Sequence, residues 1–327
     1  MLMEKSTLDV LGIDVGKRDL HAVLLQGKRS ASKSVPNSGA GIGQLQTWLT
    51  NRKIERVHVC LEATGGWSEE VAIALNEAGH VVSLVNPARI KAFAQSELLR
   101  TKTDRIDAAL IARFCGLHEP EPWTPPAPEV RILQGLVRRQ QSLIEMRVAE
   151  ENRRGAPLVS APVLASIEAT LAHYAGELER VEREIKQLFK DYPTLRRRRD
   201  LLTSIPGIGK TTAARILGEV PNITELRGVK AVAAFAGLSP RHYQSGSIEY
   251  RSRLAKTGNA HLRRALYFPA ITAIRHNPRI HEFAERLRAR GDKSKMTVVA
   301  AAMRKLLTLA YGVLKSGRAF DPAYGTA

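Results

Sequence analysis

Cysteine is nearly absent from this 327-residue chain, Cys60 and Cys115 being the whole complement. They lie in apolar, periodic surroundings without a CxxC spacing, which argues against a disulfide framework or a structural zinc site and for two core thiols. No apolar run approaches the ~18 uncharged residues that a membrane span needs, and the N-terminal stretch lacks a signal-peptide pattern. These absences suggest a cytoplasmic protein without a membrane partner. Internal repeats and low-complexity tracts are missing as well. Acidic residues are scarce in one region only. From Thr194 to Ala327 there are 25 Lys+Arg against 8 Asp+Glu, net +17, whereas the whole chain holds 50 against 32, net +18. Residues 1–193 are left with 25 against 24. A basic excess confined to one region points to a polyanionic partner, meaning nucleic acid or an anionic surface.

An apolar fraction of 44% supplies a core of ordinary size, and the length allows two or three modules. Leu8 to Val15 reads as a strand, followed after Gly16-Lys17-Arg18 by a second from Asp19 to Leu25, so that the two form a hairpin. A short strand at Ala31 to Val35, a helix from Asn37 to Asn51 and a strand from Ile54 to Leu61 follow. Glu69 to Ala78 is helical, His80 to Val85 a strand closed by Asn86-Pro87, and Lys102 to Leu117 helical. A hairpin-started sheet continued by βαβ units is the ribonuclease-H-like (RuvC-like) α/β arrangement. The five prolines of Glu119 to Pro128 read as a stiff linker. Val130 to Glu151 and Val163 to Phe189 are long amphipathic helices, forming an antiparallel hairpin, a dimerising coiled coil or a solvated spacer. The expected modules are therefore 1–120, an α-helical coiled-coil region 121–193, and a mainly α-helical basic domain 194–327 whose tail is frayed from Phe320.

Asp14 and Glu62 each end a strand, where a carboxylate is costly unless it is paired or binds a cation. Ligands of open α/β sheets collect beyond the carboxyl ends of strands, so the two acids would share one crevice. Asp104 and Asp107, at i and i+3, lie on one face of the helix that follows. Any one of these could be a turn or first-turn acid; the ordered set of four suggests an all-oxygen site for Mg²⁺, with Mn²⁺ able to substitute.

These residues sit in Gly12-Ile13-Asp14-Val15-Gly16-Lys17, Leu61-Glu62-Ala63-Thr64-Gly65 and Lys102-Thr103-Asp104-Arg105-Ile106-Asp107-Ala108. The three strings resemble the DEDD transposases of insertion sequences, whose members are guided by a bridge RNA. The resemblance implies that Asp14, Glu62, Asp104 and Asp107 hold Mg²⁺ in a RuvC-like domain.

Further along, Leu201 to Leu217 places Ile205-Pro206-Gly207-Ile208-Gly209 between two helical stretches, like a helix-hairpin-helix turn that offers backbone N–H groups to a phosphate, with Lys210 beside it. A nucleotide-binding P-loop is the rival, but its pattern demands Gly where this chain has Ser204. Ser245-Gly246-Ser247 falls in a polar loop among Arg241, His242, Arg251, Arg253 and Lys256. A serine attacking a phosphodiester needs proton removal and cationic stabilisation, which these neighbours can partly supply; Ser-Gly-Ser is equally a common turn. Gly237-Leu238-Ser239-Pro240, Ser245-Gly246, Lys256-Thr257-Gly258-Asn259 and Leu262-Arg263-Arg264-Ala265-Leu266 resemble, in order and spacing, the C-terminal domain of the same family. That resemblance implies Ser245 as the nucleophile of a covalent phosphoserine intermediate, with Ser247 the alternative. It further implies donor and target DNA and a guide RNA as partners, and a homo-oligomer, dimer or tetramer. Nucleic-acid contacts are expected from Gly207, Gly209, Lys210, Arg241, Arg251, Arg253, Lys256, Arg263 and Arg264. The competing readings are a hydrolytic RuvC-like junction nuclease, a non-catalytic nucleic-acid scaffold, and an actin-like ATPase or sugar kinase suggested by Asp14-Val15-Gly16.

Overall fold

The computed structural model describes residues 8–323 apart from 64, 99–100, 102, 158, 242–243, 246–247, 250–252, 256 and 292–293; of 241, 244–245, 248–249 and 253 the backbone alone is described. The chain forms two compact units, Met1–Pro125 and Pro126–Ala327, dividing within the proline-rich stretch.

In the first unit β1 (Val10–Val15), β2 (Asp19–Gln26) and β3 (Arg29–Pro36) are consecutive antiparallel neighbours, while β4 (His58–Glu62) lies parallel to β1 and β5 (Val81–Val85) parallel to β4. The order β3-β2-β1-β4-β5 is the ribonuclease-H-like topology expected from the sequence. Side chains alternate across the sheet. Leu11, Ile13, Val59 and Leu61 therefore face α1 (Gly39–Thr50) and α2 (Gly66–Glu77), meeting Ile42, Leu45, Val71 and Leu75. Cys60 and Val85 on the opposite face pack with Ile90 and Phe93 of α3 (Pro87–Ser96) and with Ile111, Phe114 and Cys115 of α4 (Asp104–His118). Helices thus cover both faces.

Three sequence expectations are corrected here. β4 starts at His58 rather than Ile54, because Glu55 and Arg56 are exposed and break the buried pattern. α3 is an added helix: Asn86-Pro87 closes β5 and also opens a helix, the Asn86 side chain accepting from the Ala88 N–H at 2.8 Å with Pro87 in the first turn. The segment after α4 is a covering strap as much as a linker. The Trp123 N–H donates to the Val82 carbonyl at 2.7 Å and the Ser83 hydroxyl to the Pro120 carbonyl at 2.8 Å, so the segment shields the outer edge of β5.

The second unit is helical. α5 (Pro128–Arg154) and α6 (Ala161–Asp191) pack on each other, Leu143 against Leu178 and Val181, while the opposite ends bring Val130, Leu133 and Val137 together with Leu188 and Phe189. That pairing makes them antiparallel within one chain. The same core continues into α7 (Pro193–Thr203), α8 (Lys210–Glu219), α9 (Val229–Phe235), α10 (Ala260–Ala265), α11 (Tyr267–His276), α12 (Pro278–Ala289) and α13 (Lys295–Ser316). Two short hairpin ladders interrupt it, β6 (Pro240–Arg241) with β9 (Arg253–Leu254) and β7 (Gln244–Ser245) with β8 (Ile248–Glu249). α13 is long and apolar enough to cross a membrane by length and composition, yet here Ala302, Leu306, Leu307 and Ala310 are buried in the core. Phe320, expected to be frayed, is pinned by a 2.8 Å hydrogen bond from its N–H to the Ser204 hydroxyl and packs on that core.

One buried charge holds this unit together. Glu219 is 3% exposed and receives a two-pronged hydrogen bond from Arg138 of α5, Nε to Oε1 at 2.9 Å and Nη2 to Oε2 at 3.0 Å. The Asn259 amide donates to the same Oε2 at 2.8 Å, while its own Oδ1 caps α10 by accepting from Leu262 N–H. Burial would push the Glu219 carboxyl up; the hydrogen bonds from Arg138 and Asn259 and the Arg138 charge outweigh it and hold the group below its ordinary 4.5. Arg138 is 39% exposed on its side chain and can be partly solvated once its carboxylate partner is removed, so Glu219→Ala should cost about 1–3 kcal/mol in urea unfolding at neutral pH. Because the folded value is the lower one, the bridge stabilises above the unfolded carboxylate's titration. That contribution should disappear as the pH falls through the folded value, so wild type and variant converge in acid. Parallel curves at all pH values would show that the bridge contributes nothing.

Candidate active site and nucleic-acid surface

Alternation places Asp14 on the same side of β1 as Gly12, and Glu62 on the same side of β4 as Cys60, facing α3 and α4. Gly12 pairs with Cys60 and Ile13 with Leu61, so Asp14 and Glu62 are the next step of two parallel neighbours. Gly12 also decides how close α4 can come. A methyl group at this position would fall under 3.0 Å from the Ala112 nitrogen and the Ala108 carbonyl oxygen, so only glycine lets the helix lie directly on β1. Thr103 starts α4 by accepting from the Ile106 N–H at 3.3 Å, which puts Asp104 and Asp107 in the first turn, where the helix dipole favours acids.

A residue that the sequence reading passed over links the strand acid to the helix acid. His21 stands opposite Asp14 in the β1–β2 register, and its Nε2 is 3.3 Å from Asp104 Oδ2. The hairpin turn at Gly16-Lys17-Arg18 carried that register, but a single His in an apolar strand gave no chemical signal. Asp104 is 70% exposed on its side chain and Asp107 half-buried. Asp14 and Glu62 thus end neighbouring strands, and Asp104 reaches the same end of the sheet through His21. Among the described residues, however, no three His, Cys, Asp or Glu side chains form a group that could hold a metal ion. The donor set, all oxygen with one imidazole beside it, suits a hard divalent cation by type.

At the rim, the Asn37 amide donates to the Gly16 carbonyl at 2.9 Å and to the Trp67 carbonyl at 3.3 Å, tying the turn after β1 to the start of α2. Trp67 is 51% exposed, with the Lys17 ammonium 5.8 Å from its ring centre. Lys17 closes the motif around Asp14, whereas Trp67 was not singled out by the sequence. Behind the site lie the buried free thiols Cys60 and Cys115. Their mutual hydrogen bond, and after it burial, push the Cys60 thiol far above the ordinary range, so it stays protonated.

In the second unit α7 and α8 flank the turn at 204–209, as expected for a helix-hairpin-helix element, and the element before the turn is a helix rather than the strand a P-loop requires. Gly209 is the N-cap of α8 without a side-chain cap, and Gly209 and Lys210 are exposed. Gly207 has φ +103° and is half-buried against Ala273 and Pro269 of α11. Ser245 ends β7 opposite Ile248, a hairpin strand where an open loop was expected; Ser247 lies outside the described residues. Arg241 and Arg253 are register partners in β6 and β9. Arg251, Lys256 and His242 lie outside the described residues. Arg263 turns inward, its Nη1 donating to the Ala236 carbonyl at 3.1 Å, and Arg264 pairs with Glu145.

Two family models match, one described as "Transposase" over residues 11–161 and one as "Transposase IS116/IS110/IS902 family" over residues 199–285. The pilin gene-inverting protein of Moraxella bovis is 33% identical over 315 residues, 95% of this chain and 97% of that protein. The transposase for insertion sequence element IS1328 of Yersinia enterocolitica is 24% identical over 342 residues, 95% of this chain and 98% of that protein. T. thermophilus RuvC, in complex with Holliday junction substrate, covers 36% of this chain and 99% of its own at 17% identity and a TM-score of 0.28; the sheet order, not that likeness, carries the fold. With relatives aligned from end to end and both family models in sequence order, the chain belongs to the IS116/IS110/IS902 transposase family.

Proposed function

We propose that this protein is a DNA recombinase that cuts, exchanges and rejoins strands under the guidance of an RNA. Transposition and inversion, the outcomes named for its relatives, both need those steps. The observation that carries the reading is the seating of α4 on Gly12, with Asp104 of its first turn meeting His21, the register partner of Asp14. When bound there, Mg²⁺ would neutralise charge building up on the reacting phosphate. Asp14, Glu62, Asp104 and Asp107 would hold it, and His21 would orient Asp104. Ser245 would attack phosphorus through its Oγ, losing its proton as the P–O bond to the leaving strand breaks and that strand departs as a hydroxyl. A second strand's hydroxyl would then attack the phosphoserine and release the serine. One ester replaces another, so no ATP is needed. A guide RNA and a homo-oligomer complete the reading.

Titration calorimetry with Mn²⁺ tests the metal assignment on the full chain. The wild type should bind, and Asp14→Ala combined with Asp107→Ala should weaken binding by at least about tenfold, each lost carboxylate removing a direct ligand. Unchanged binding in the double variant would overturn the assignment of these acids.

A further inference from the structure

Phe268 is 75% exposed, although the helix that carries it buries Ala270, Ala273 and Ile274. α10 ends at Leu266 in a helical conformation, φ −88° and ψ −11°, and α11 starts at the next residue, so side chains keep helical spacing across the junction. His261, Arg264, Thr272 and Arg275, all exposed, therefore line up with Phe268 at intervals of three and four. The Tyr267 ring stands edge-on to Phe268 at 5.2 Å and limits its freedom. The stripe itself contains no acid; Glu145 reaches Arg264 from α5 as an exposed pair, which is weak and open to exchange for another anion. On its other side α11 supports the 204–209 turn, through Pro269 and Ala273 against Gly207 and through Asn277, whose amide donates to the Pro206 carbonyl at 3.2 Å.

A single ring between two guanidinium groups is too small an apolar island to seat a protein helix, but it matches a base with a phosphate on either side. We propose that Phe268 is a stacking platform for an unpaired nucleobase, with Arg264 and Arg275 taking the flanking phosphates. This rests on the nucleic-acid reading above. Any base offers a π-face, so the platform would tolerate sequence and accept a displaced DNA strand or an unpaired RNA segment alike.

Equilibrium binding of full-length protein to single-stranded DNA, single-stranded RNA and duplex DNA, each carrying 2-aminopurine, separates the possibilities. Phe268→Ala should weaken single-strand binding about tenfold and remove the stacking quench, while duplex affinity holds and Phe268→Trp restores both. Loss on DNA and RNA alike supports a shared base site; loss on one alone names the strand. Unchanged single-strand affinity, or an equal loss on the duplex, would overturn the platform. So would a drop in oligomeric state by sedimentation with affinity intact, which would make the face a protein interface. A wild type that bound no nucleic acid would instead refute the functional reading on which the platform rests.

Discussion

Ser245→Ala is expected to abolish a protein–DNA adduct that the wild type forms with substrate DNA, guide RNA and Mg²⁺ and that survives denaturation. A serine ester is covalent, so the adduct should persist on a denaturing gel, whereas complexes held by phosphate contacts fall apart. Binding of DNA by Ser245→Ala should remain near wild type, since one hydroxyl among many cationic contacts adds little. Asp104→Ala should suppress the adduct as well if metal assists the same step. A hydrolytic nuclease gives another pattern: Asp104→Ala stops cutting and Ser245→Ala does not. If Ser247→Ala loses strand exchange while Ser245→Ala keeps it, the nucleophile is the neighbour and the serine mechanism survives; full activity in both variants would end it.

Gly12→Val should strongly destabilise the first unit. The added Cβ would overlap backbone atoms of Ala108 and Ala112, which cannot rotate away as a side chain could. α4 must then lift from β1, opening the core around Cys60, Ile111 and Cys115. Overpacking typically costs about 1–3 kcal/mol and occasionally more, and an overlap with backbone that cannot move aside falls at the upper end. Thermal unfolding followed by circular dichroism should show the melt of the first unit shifted far down or absent, and Mn²⁺ binding lost with it. A variant that melted with the wild type would show that strand and helix are not in contact at this point.

The sheet and most of its helices were legible because their signals are local. Alternation in Leu8 to Val15 and the apolar run ending at Leu61 gave two strands, and the Ile-Pro-Gly-Ile-Gly turn gave the break between α7 and α8. Where one residue serves two elements the reading stopped short: Pro87 ends a strand and occupies the first turn of α3. Of the candidate site, residue types and strand-end positions were visible. His21 was not, because a lone His in an apolar strand carries no chemical signal and only the packing of α4 sets it against Asp104. The Arg138–Glu219–Asn259 network was equally hidden, its members coming from α5, α8 and the cap of α10. A glutamate at the end of an amphipathic helix looks like any solvated acid until tertiary packing closes over it.

The burial of both cysteines has a practical side. Thiol reagents reach exposed thiolates first, and the two native sulfurs are enclosed in the core between β4 and α4. The chain is therefore a ready background for site-directed spin or fluorophore labelling. A cysteine placed at exposed Ser166 on α6, or at exposed Thr50 where α1 ends, can carry a probe in either unit without first stripping out the native sulfur.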